Sequence, residues 1–278
     1  MSIEPLPTDL AITVARALEE DVGSGDISAA LIPEGTDSQA RLVCRDKAII
    51  CGIPWAQEVL QQLGGVIQAQ WFVEDGDRVE QEDIVAEFSG CARTLLTAER
   101  CMLNFLQTLS GTATYAGHLH SLVAHTRVTL LDTRKTLPGL RKAQKYAVKM
   151  GGCANHRMGL YDAFLIKENH INACGSITSA VSAAHKLSSD KPVEVEVETL
   201  EQLREAIAAG ANIVMLDNFS VEQMNEAVKL TAGRVKLEAS GGIDKTTLLN
   251  IAETGVDYIS IGALTKNCKA IDLSLRFT

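Results

Sequence analysis

The second half of the chain alternates short apolar runs with segments of helical spacing. The apolar runs are candidate strands: RVTLLD, DAFLIK, PVEVEVE, NIVMLD, RVKLEAS and DYISIGA. Segments such as LEQLREAIAAG and SVEQMNEAVKLTAG lie between most of them and indicate helices. Repeated strand–helix units predict a parallel sheet covered by helices, and six or more of them favour a barrel.

The first part of the chain follows a different pattern. Residues 9–20 have the spacing of an amphipathic helix, and the turn-forming stretch DVGSGDIS follows them. Residues 40–50 and 66–88 alternate apolar and polar positions, which is typical of strands and turns in a small α+β unit. Residues 93–111 predict a strongly apolar helix that Gly111 is expected to end. We place a domain boundary there.

Polar residues or glycines follow almost every candidate strand of the second half. Because the carboxyl ends of the strands in an α/β barrel meet at one rim, residues distant in sequence become neighbours there. The residues at these ends are Asp132, Lys167, Glu196, Asp217, Ser240, Gly241, Gly242 and Gly262. The pattern therefore predicts a site on this rim.

Positive charge is concentrated in one segment of an acidic chain. The 278 residues have a formal net charge of -9, which argues against a general attraction to nucleic acid or anionic membrane. Residues 133–161 nevertheless lack Asp and Glu. They contain seven Lys or Arg: Arg134, Lys135, Arg141, Lys142, Lys145, Lys149 and Arg157. Any anion site must therefore be local.

Composition favours a globular protein of a reducing compartment. A hydrophobic content of 46% with 22% charged residues suits one large domain or two ordinary ones. The seven cysteines form no CxxC pair, which favours reduced thiols over zinc ligands or disulfides. The start MSIEPLPTDL is unlike a secretory signal, and no run approaches the roughly 18 apolar residues of a membrane span. We expect a cytoplasmic protein.

Two acidic residues end neighbouring candidate strands. Glu196 and Asp217 are costly at such positions unless they are paired or bound to a metal, and they suit a hard divalent cation that also touches substrate oxygens. The alternative is that they neutralise Lys135 and Lys167 across the rim. Alternation cannot choose Glu196 over the two carboxylates on its face, Glu194 and Glu198.

The cations of the basic segment divide into two groups. Arg134 and Lys135 follow a buried strand and precede a Pro-Gly turn, so they are held on the rim. Arg grips a planar carboxylate while Lys is a compact charge for phosphate, so the pair suggests two different anions. Residues 139–149 have helical spacing. Their cations could form an ordinary solvated face, which we favour for Lys142 and Lys149.

Three further residues are open to more than one interpretation. His156 could be a base, a metal ligand or a hydrogen-bond donor, and donation to a carboxylate is favoured. His170 lies past a strand end and is interpreted as structural. Arg100, in the apolar boundary helix, is expected to reach either across an interface or into a site.

The last two loops, EASGGID and SIGALT, are candidate phosphate sites. Each offers Gly where backbone N–H groups must approach a ligand, and each precedes a helix whose N-terminus favours anions. Loops after the last strands of α/β barrels often hold phosphate.

These motifs, taken together, resemble one family. LLDTRKTLPGLRKAQKYAVKMGGCANHRMGLYDAFLIKENHI, followed by VEVEVETLEQ, IVMLDNF, LEASGGI and ISIGALT in the same order, resembles quinolinate phosphoribosyltransferase, also called nicotinate-nucleotide pyrophosphorylase (carboxylating). The likeness includes EDVGSGDIS and LLTAERCMLNFLQTLSG and covers nearly the whole chain. One departure is Cys153, where the family commonly has a third Gly in GGGxNHR.

The resemblance implies an architecture and a reaction. It implies an N-terminal α/β sandwich domain (1–110), an open seven-stranded, TIM-like α/β barrel (111–267) and a C-terminal segment (268–278) that returns to the first domain. It also implies a homodimer or hexamer. The implied activity is that of a type II phosphoribosyltransferase of de novo NAD biosynthesis. Such an enzyme converts quinolinate and phosphoribosyl pyrophosphate (PRPP) to nicotinate mononucleotide, pyrophosphate and CO₂.

The resemblance also implies roles for individual residues. The two carboxylates of quinolinate would be held by Arg134, His156 and Arg157, with Thr133 and with Arg100 from the partner subunit. Lys135 and Lys167 would bind the pyrophosphate end of PRPP, with Lys167 also near quinolinate. Glu196 and Asp217 would hold the ribose hydroxyls and Mg²⁺. The 5-phosphate would be cradled by Ser240, Gly241, Gly242, Ile261, Gly262 and Ala263.

Two alternatives remain open at this stage. One is a relative on the same scaffold that uses another anionic base, such as the molybdenum-transport-associated ModD-like proteins. The other is a lipoyl or biotinyl carrier module, because RDKAII and VEDGDRVEQEDIVAEF weakly resemble such domains. Lys47 would then be the modified lysine, but the barrel would be left unexplained.

Overall fold

The computed structural model of the chain describes residues 5–64 and 66–277. The helices are α1 (Leu10–Val22), α2 (Ile53–Gln62), α3 (Ala92–Val123), α4 (Arg141–Met150), α5 (Glu168–Cys174), α6 (Ile177–Leu187), α7 (Leu200–Ala209), α8 (Val221–Thr231), α9 (Leu248–Ala252) and α10 (Ala263–Lys266). The strands are β1 (Asp37–Cys44), β2 (Ala48–Ile49), β3 (Ile67–Trp71), β4 (Arg78–Val79), β5 (Ile84–Cys91), β6 (Thr129–Leu131), β7 (Phe164–Ile166), β8 (Val193–Val197), β9 (Ile213–Asp217), β10 (Lys236–Ser240), β11 (Tyr258–Ser260) and β12 (Leu273–Phe277). Among the described residues, none of these helices has both the length and the apolar character that crossing a membrane requires.

Contacts divide the chain into two compact units that interleave along the sequence. The first contains the residues up to His118, Thr136–Gly152 and the residues from Leu264 onward. The second contains Leu119–Lys135 and Cys153–Ala263. The linear domain bounds proposed above stay a prediction.

The first unit contains an antiparallel sheet in the order β12-β1-β5-β3. In the middle of β1, Ala40 and Leu42 are buried and Arg41 is exposed, as expected for a strand with one face on a core. Trp71 and Phe88 pack edge to face on neighbouring strands, with ring centroids 5.6 Å apart. Because β12 pairs with β1, the C-terminal strand is part of this unit.

Gly111 does not end its helix, and that expectation was wrong. Helix α3 continues to Val123. A Cβ at Gly111 would lie 2.1 Å from the backbone oxygen of Lys269, so the glycine is needed for close packing of the C-terminal segment against the helix. A glycine inside a helix can therefore mark a close approach rather than a boundary.

The second unit is built on a parallel sheet in the order β6-β11-β10-β9-β8-β7, which confirms the six predicted strands. Helices α6 and α7 pack on the strands β7, β8 and β9. A single parallel bridge between Leu131 and Ala154 adds a seventh position beside β6. The α/β class and barrel-like second domain are as expected, with the seventh strand reduced to that bridge.

The strand registers bring the polar ends to one rim. Asp217 at the end of β9 lies opposite Ser240 at the end of β10. In β8, the three valines are fully buried, whereas Glu194 and Glu196 alternate with them and face the other way. The carboxyl ends of the parallel strands therefore carry the predicted site residues.

Candidate active site

Four charged residues lie close together at the rim where β6, β7, β8 and β9 end. They are Lys135, Lys167, Glu196 and Asp217. Lys167 donates a hydrogen bond to Glu196, and the two form an ion pair. This pairing matches the alternative in which the acidic residues neutralise the rim lysines. The backbone N–H of Lys167 donates to Nδ1 of His170, at 3.0 Å, so His170 has the structural role expected of it.

The pKa of Asp217 depends on the charges of the other three residues in this group. Partial burial raises its pKa, and the negative charge of Glu196 raises it further. The charges of Lys167 and Lys135 act in the opposite direction. Two carboxylates within electrostatic reach of each other fit a divalent cation, which would relieve their repulsion.

Lys135 lies across the loop that follows β11. Its backbone N–H donates to Thr133 Oγ1 at 3.0 Å, and the N–H of Ile261 donates to the carbonyl of Leu131 at 2.9 Å. A Cβ at Gly262 would lie 2.9 Å from Lys135 Cδ and 3.6 Å from Thr133 Oγ1. Glycine at this position therefore leaves room for the lysine.

The loop after β10 also depends on a glycine. Gly241 has φ +105°, a conformation that residues with side chains rarely adopt. A Cβ there would lie 2.2 Å from Asn218 Oδ1 and 3.0 Å from its backbone nitrogen, while that N–H donates to the Ser240 carbonyl at 3.0 Å. Gly242, at φ +57°, has no neighbouring atom within 4 Å of its Cβ position. Glycine at 241 thus lets the loop pack closely against Asn218, and the space beside Gly242 is open.

His156 lies above two buried carboxylates. Its Nε2 is 3.0 Å from Glu194 Oε2 and 3.5 Å from Glu238 Oε2, and the side chains of Glu194 and Glu238 are 5% and 0% exposed. The backbone N–H of Arg157 donates to His156 Nδ1 at 2.8 Å. Both ring nitrogens therefore have partners within the protein, and the Nε2 proton is directed at Glu194.

Burial and the neighbouring carboxylates act in opposite directions on His156. Burial alone would lower its pKa, but the hydrogen bond to Glu194, the nearby Glu238 and the negative charges of both raise the pKa to about 10. Burial in turn raises the pKa of Glu194. The contact at Nδ1 opposes a second ring proton, because an acceptor nitrogen must keep its lone pair. Either charge state of the ring leaves the proton on Nε2.

Asp132 fixes the backbone of the same segment. It is fully buried at the end of β6, where it accepts the His156 backbone N–H at 3.0 Å and the Asn155 side-chain amide at 2.6 Å. Its place at a strand end was predicted, but this holding role was not. An acidic residue directly before TRK was the available signal.

Arg157 and Arg134 form the cationic side of the site. Burial lowers the pKa of Arg157, and the charge of Arg134 lowers it further, whereas Glu194 and Asp162 oppose the shift. The Arg157 guanidinium donates to the Ala163 carbonyl through Nη1 at 3.1 Å. Two guanidinium groups that repel each other are suited to an anion with planar carboxylates.

The second unit therefore contains all the predicted site residues except Arg100. Arg100 is exposed on α3 in the first unit and makes no ion pair with any residue that the structure describes. The cations of residues 139–149 also belong to the first unit, where Lys142 pairs with Asp9 at 3.6 Å and Lys145 is fully buried. Lys145 is thus not part of a solvated face. Glu194 and Glu238 were not predicted to contact His156.

Comparison with known proteins gives one consistent result. Two family models match the chain: the N-terminal domain of quinolinate phosphoribosyl transferase over residues 26–110, and its C-terminal domain over 112–276. A nicotinate-nucleotide pyrophosphorylase (carboxylating) of Mycobacterium leprae is 42% identical over 95% of this chain and 95% of that protein.

Solved structures of the same kind superpose closely on the chain. The nicotinate-nucleotide pyrophosphorylase of Francisella tularensis has a TM-score of 0.95 at 49% identity, covering 100% of this chain and 99% of that one. NadC of Streptococcus pyogenes has a TM-score of 0.96 at 40% identity, with the same coverage of both chains.

Proposed function

The chain belongs to the quinolinate phosphoribosyltransferase family, and we infer that it converts quinolinate and PRPP to nicotinate mononucleotide, pyrophosphate and CO₂. It is a decarboxylating enzyme of the glycosyltransferase class that acts in NAD biosynthesis. The observation that carries this inference is a pair of charged groups on the second unit: Arg134 is close to Arg157, and Lys135 and Lys167 are close to the carboxylates of Glu196 and Asp217. Arg134 and Arg157 repel each other, and a bound anion with several charges would relieve that repulsion.

Each substrate has a matching side of the site. We propose that Arg134, Arg157 and His156, with Thr133, hold the two carboxylates of quinolinate. Lys135 and Lys167 bind the pyrophosphate end of PRPP. The loops of residues 240–242 and 261–263 cradle the 5-phosphate, because their glycines allow backbone N–H groups to approach it.

The transfer step needs no general base. The pyridine nitrogen of quinolinate carries a free lone pair and attacks C1 of the ribose as the bond to pyrophosphate breaks. The reacting ribose carbon acquires oxocarbenium character, which the carboxylates of Glu196 and Asp217 stabilise. Lys135 and Lys167 stabilise the leaving pyrophosphate, so catalysis rests on positioning and fixed charge.

Decarboxylation follows from the transfer. Once the ring nitrogen carries the ribose it is cationic, and it accepts electron density from the neighbouring carbon. The 2-carboxylate can then leave as CO₂, and the carbon it leaves takes up one proton from solvent. The site must hold the remaining carboxylate throughout, which is the task proposed for the arginines.

Glu196 and Asp217 also fit a magnesium ion. Carboxylates near phosphate and sugar oxygens are the usual protein contribution to Mg²⁺ binding. When bound, Mg²⁺ would supply positive charge to the pyrophosphate. We propose further that the enzyme is a homodimer or hexamer in which Arg100 enters the partner's site. A cytoplasmic location is supported by the seven cysteines, which form no disulfide among the described residues and so suit a reducing compartment.

The activity has a direct test. Purified protein with PRPP and Mg²⁺ is expected to release pyrophosphate and CO₂ in equal amounts with quinolinate, and neither with nicotinate. Chelation of Mg²⁺ should stop the reaction. Pyrophosphate release in preference with nicotinate, without CO₂, would instead favour a relative that uses another anionic base.

Gly241→Ala is expected to weaken PRPP binding. The new Cβ would meet Asn218, and overpacking of this kind typically costs about 1–3 kcal/mol, so the KM for PRPP should rise about tenfold or more. The Kd for quinolinate alone should stay unchanged, as measured by calorimetry. Gly210→Ala, at φ +85° with no atom within 4 Å, controls for backbone strain alone. Equal kinetics of the two variants would contradict a cradle at this loop.

A further inference from the structure

The two carboxylates below His156 have an unusual environment. Glu238 is fully buried and Glu194 nearly so, yet Glu194 Oε1 and both carboxylate oxygens of Glu238 have no hydrogen-bond partner among the described residues. Buried carboxylates without partners are costly, and apolar residues of similar volume would generally serve stability better. The pair therefore calls for a functional explanation.

The geometry links this pair to the cationic side of the site through one imidazole ring. Glu194 and Glu238 face Nε2, and the backbone N–H of Arg157 faces Nδ1. An imidazole with an acceptor at one nitrogen needs its proton on the other, and a carboxylate at 3.0 Å holds that proton in place. The ring thus connects two buried carboxyl groups to the backbone that carries Arg157.

A metal ion is a less suitable explanation of the same cluster. One donor atom from each of His156, Glu194 and Glu238 lies within 4.8 Å of the others, which is compatible with an ion. However, the distance of 3.0 Å between Nε2 and Glu194 Oε2 is that of a direct N–H···O hydrogen bond. The ring nitrogen is therefore already used.

We propose that Glu194 and Glu238 are positioning residues, which hold His156, and through it Arg157, in the orientation that receives a carboxylate of quinolinate. This inference rests on the function proposed above. It assigns the two buried acids to the quinolinate side of the reaction and not to the PRPP side. Neither acid touches substrate in this arrangement.

Charge supports the same assignment. Arg134 and Arg157 repel each other, and Glu194 is within electrostatic reach of Arg157 and favours its charged form. Glu194 can therefore compensate the arginine pair while no substrate is bound. Removing its charge should loosen the site before quinolinate arrives.

The test compares Glu194→Gln and Glu238→Gln with Glu226→Gln, which removes the same charge from an exposed position of α8. Glu194→Gln replaces the charged acceptor of the His156 Nε2 proton with a neutral one. Hydrogen bonds to charged groups contribute about 1.5–3 kcal/mol, so this variant should raise the KM and Kd for quinolinate about tenfold or more. Glu238→Gln removes the second carboxylate that faces Nε2 and should change both constants in the same direction. The KM for PRPP should change less than about twofold, since the PRPP groups do not contact this pair. Glu226→Gln should match wild type.

A second measurement does not depend on activity. In ¹⁵N-labelled protein, the Nε2 proton of His156 should give a downfield resonance protected from exchange, which disappears in His156→Asn. Glu194→Gln should shift that resonance, whereas Glu226→Gln should not. A structural role of the acids alone would not move quinolinate and PRPP kinetics separately. If Glu238→Gln fails to fold, Glu194→Gln carries both measurements.

The outcomes separate the two proposals. Wild-type protein that neither binds nor uses quinolinate would overturn the proposed function. Wild-type protein that uses quinolinate, with an unchanged Kd for it in Glu194→Gln and an unshifted His156 resonance, would overturn only the positioning role. The positioning role would also be overturned if the purified wild-type protein contained a stoichiometric transition metal that was absent from Glu238→Gln.

Discussion

Lys135→Ala is expected to remove most turnover while quinolinate binding survives. Lys135 lies beside Gly262 and within electrostatic reach of Asp217, and we propose that its charge acts on PRPP. Removing one pre-organised charge-stabilising group from an active site typically lowers kcat about 100-fold or more. Steady-state kinetics give the loss of kcat, and calorimetry gives the Kd for quinolinate.

Arg134→Ala is the matched opposite, although the two residues are adjacent in sequence. Its charge is close to that of Arg157, and we propose that the two guanidinium groups bind quinolinate together. The Kd for quinolinate should then rise about 10-fold or more, as expected for lost charged hydrogen bonds. Lys142→Ala serves as a control from the same basic segment, because Lys142 pairs with Asp9 and Thr8 in the first unit. Weak quinolinate binding in Lys135→Ala with normal binding in Arg134→Ala would refute the assignment.

The second unit was more predictable than the helix that precedes it. Its strands are short apolar runs that each end in a polar residue. A parallel strand that is buried on both faces requires such an apolar run, so its sequence pattern is easy to recognise. The predicted helix end at Gly111 was wrong because a glycine lowers local helix propensity in the same way whether it ends a helix or allows another segment to pack closely against it. The oxygen of Lys269 decides between these cases, and it lies more than 150 residues away in sequence.

The residues at the rim of the site were predictable from the sequence, but the buried glutamates that contact His156 were not. Alternation in VEVEVE places Glu194 and Glu196 on one face, and only the register of the sheet shows which of them lies at the rim and which is buried. Glu238 in KLEAS had one sequence signal, a single acid between Leu237 and Ala239 on a core strand. The carboxylate contact expected for His156 exists, and its first partner is Glu194 of the protein itself.

Two inactive variants are expected to regain activity when they are mixed. If Arg100 serves the partner's site, Arg100→Ala lacks it in every site, and Lys167→Ala lacks its lysine in every site. A hybrid dimer of the two carries both defects in one site and leaves the other intact. Random exchange of equal amounts should therefore restore about a quarter of wild-type activity, since half of the dimers are hybrids with one working site. Native mass spectrometry confirms the exchange, and pyrophosphate release measures the activity.

The decisive control mixes Lys135→Ala with Lys167→Ala. Both lysines lie in the second unit and act on Asp217 of the same chain, so each site of a hybrid keeps one defect and no activity should return. Activity in this control would mean that the lysines are not part of one site. Complete hybrid formation without activity in the Arg100→Ala mixture would instead place Arg100 outside a shared site.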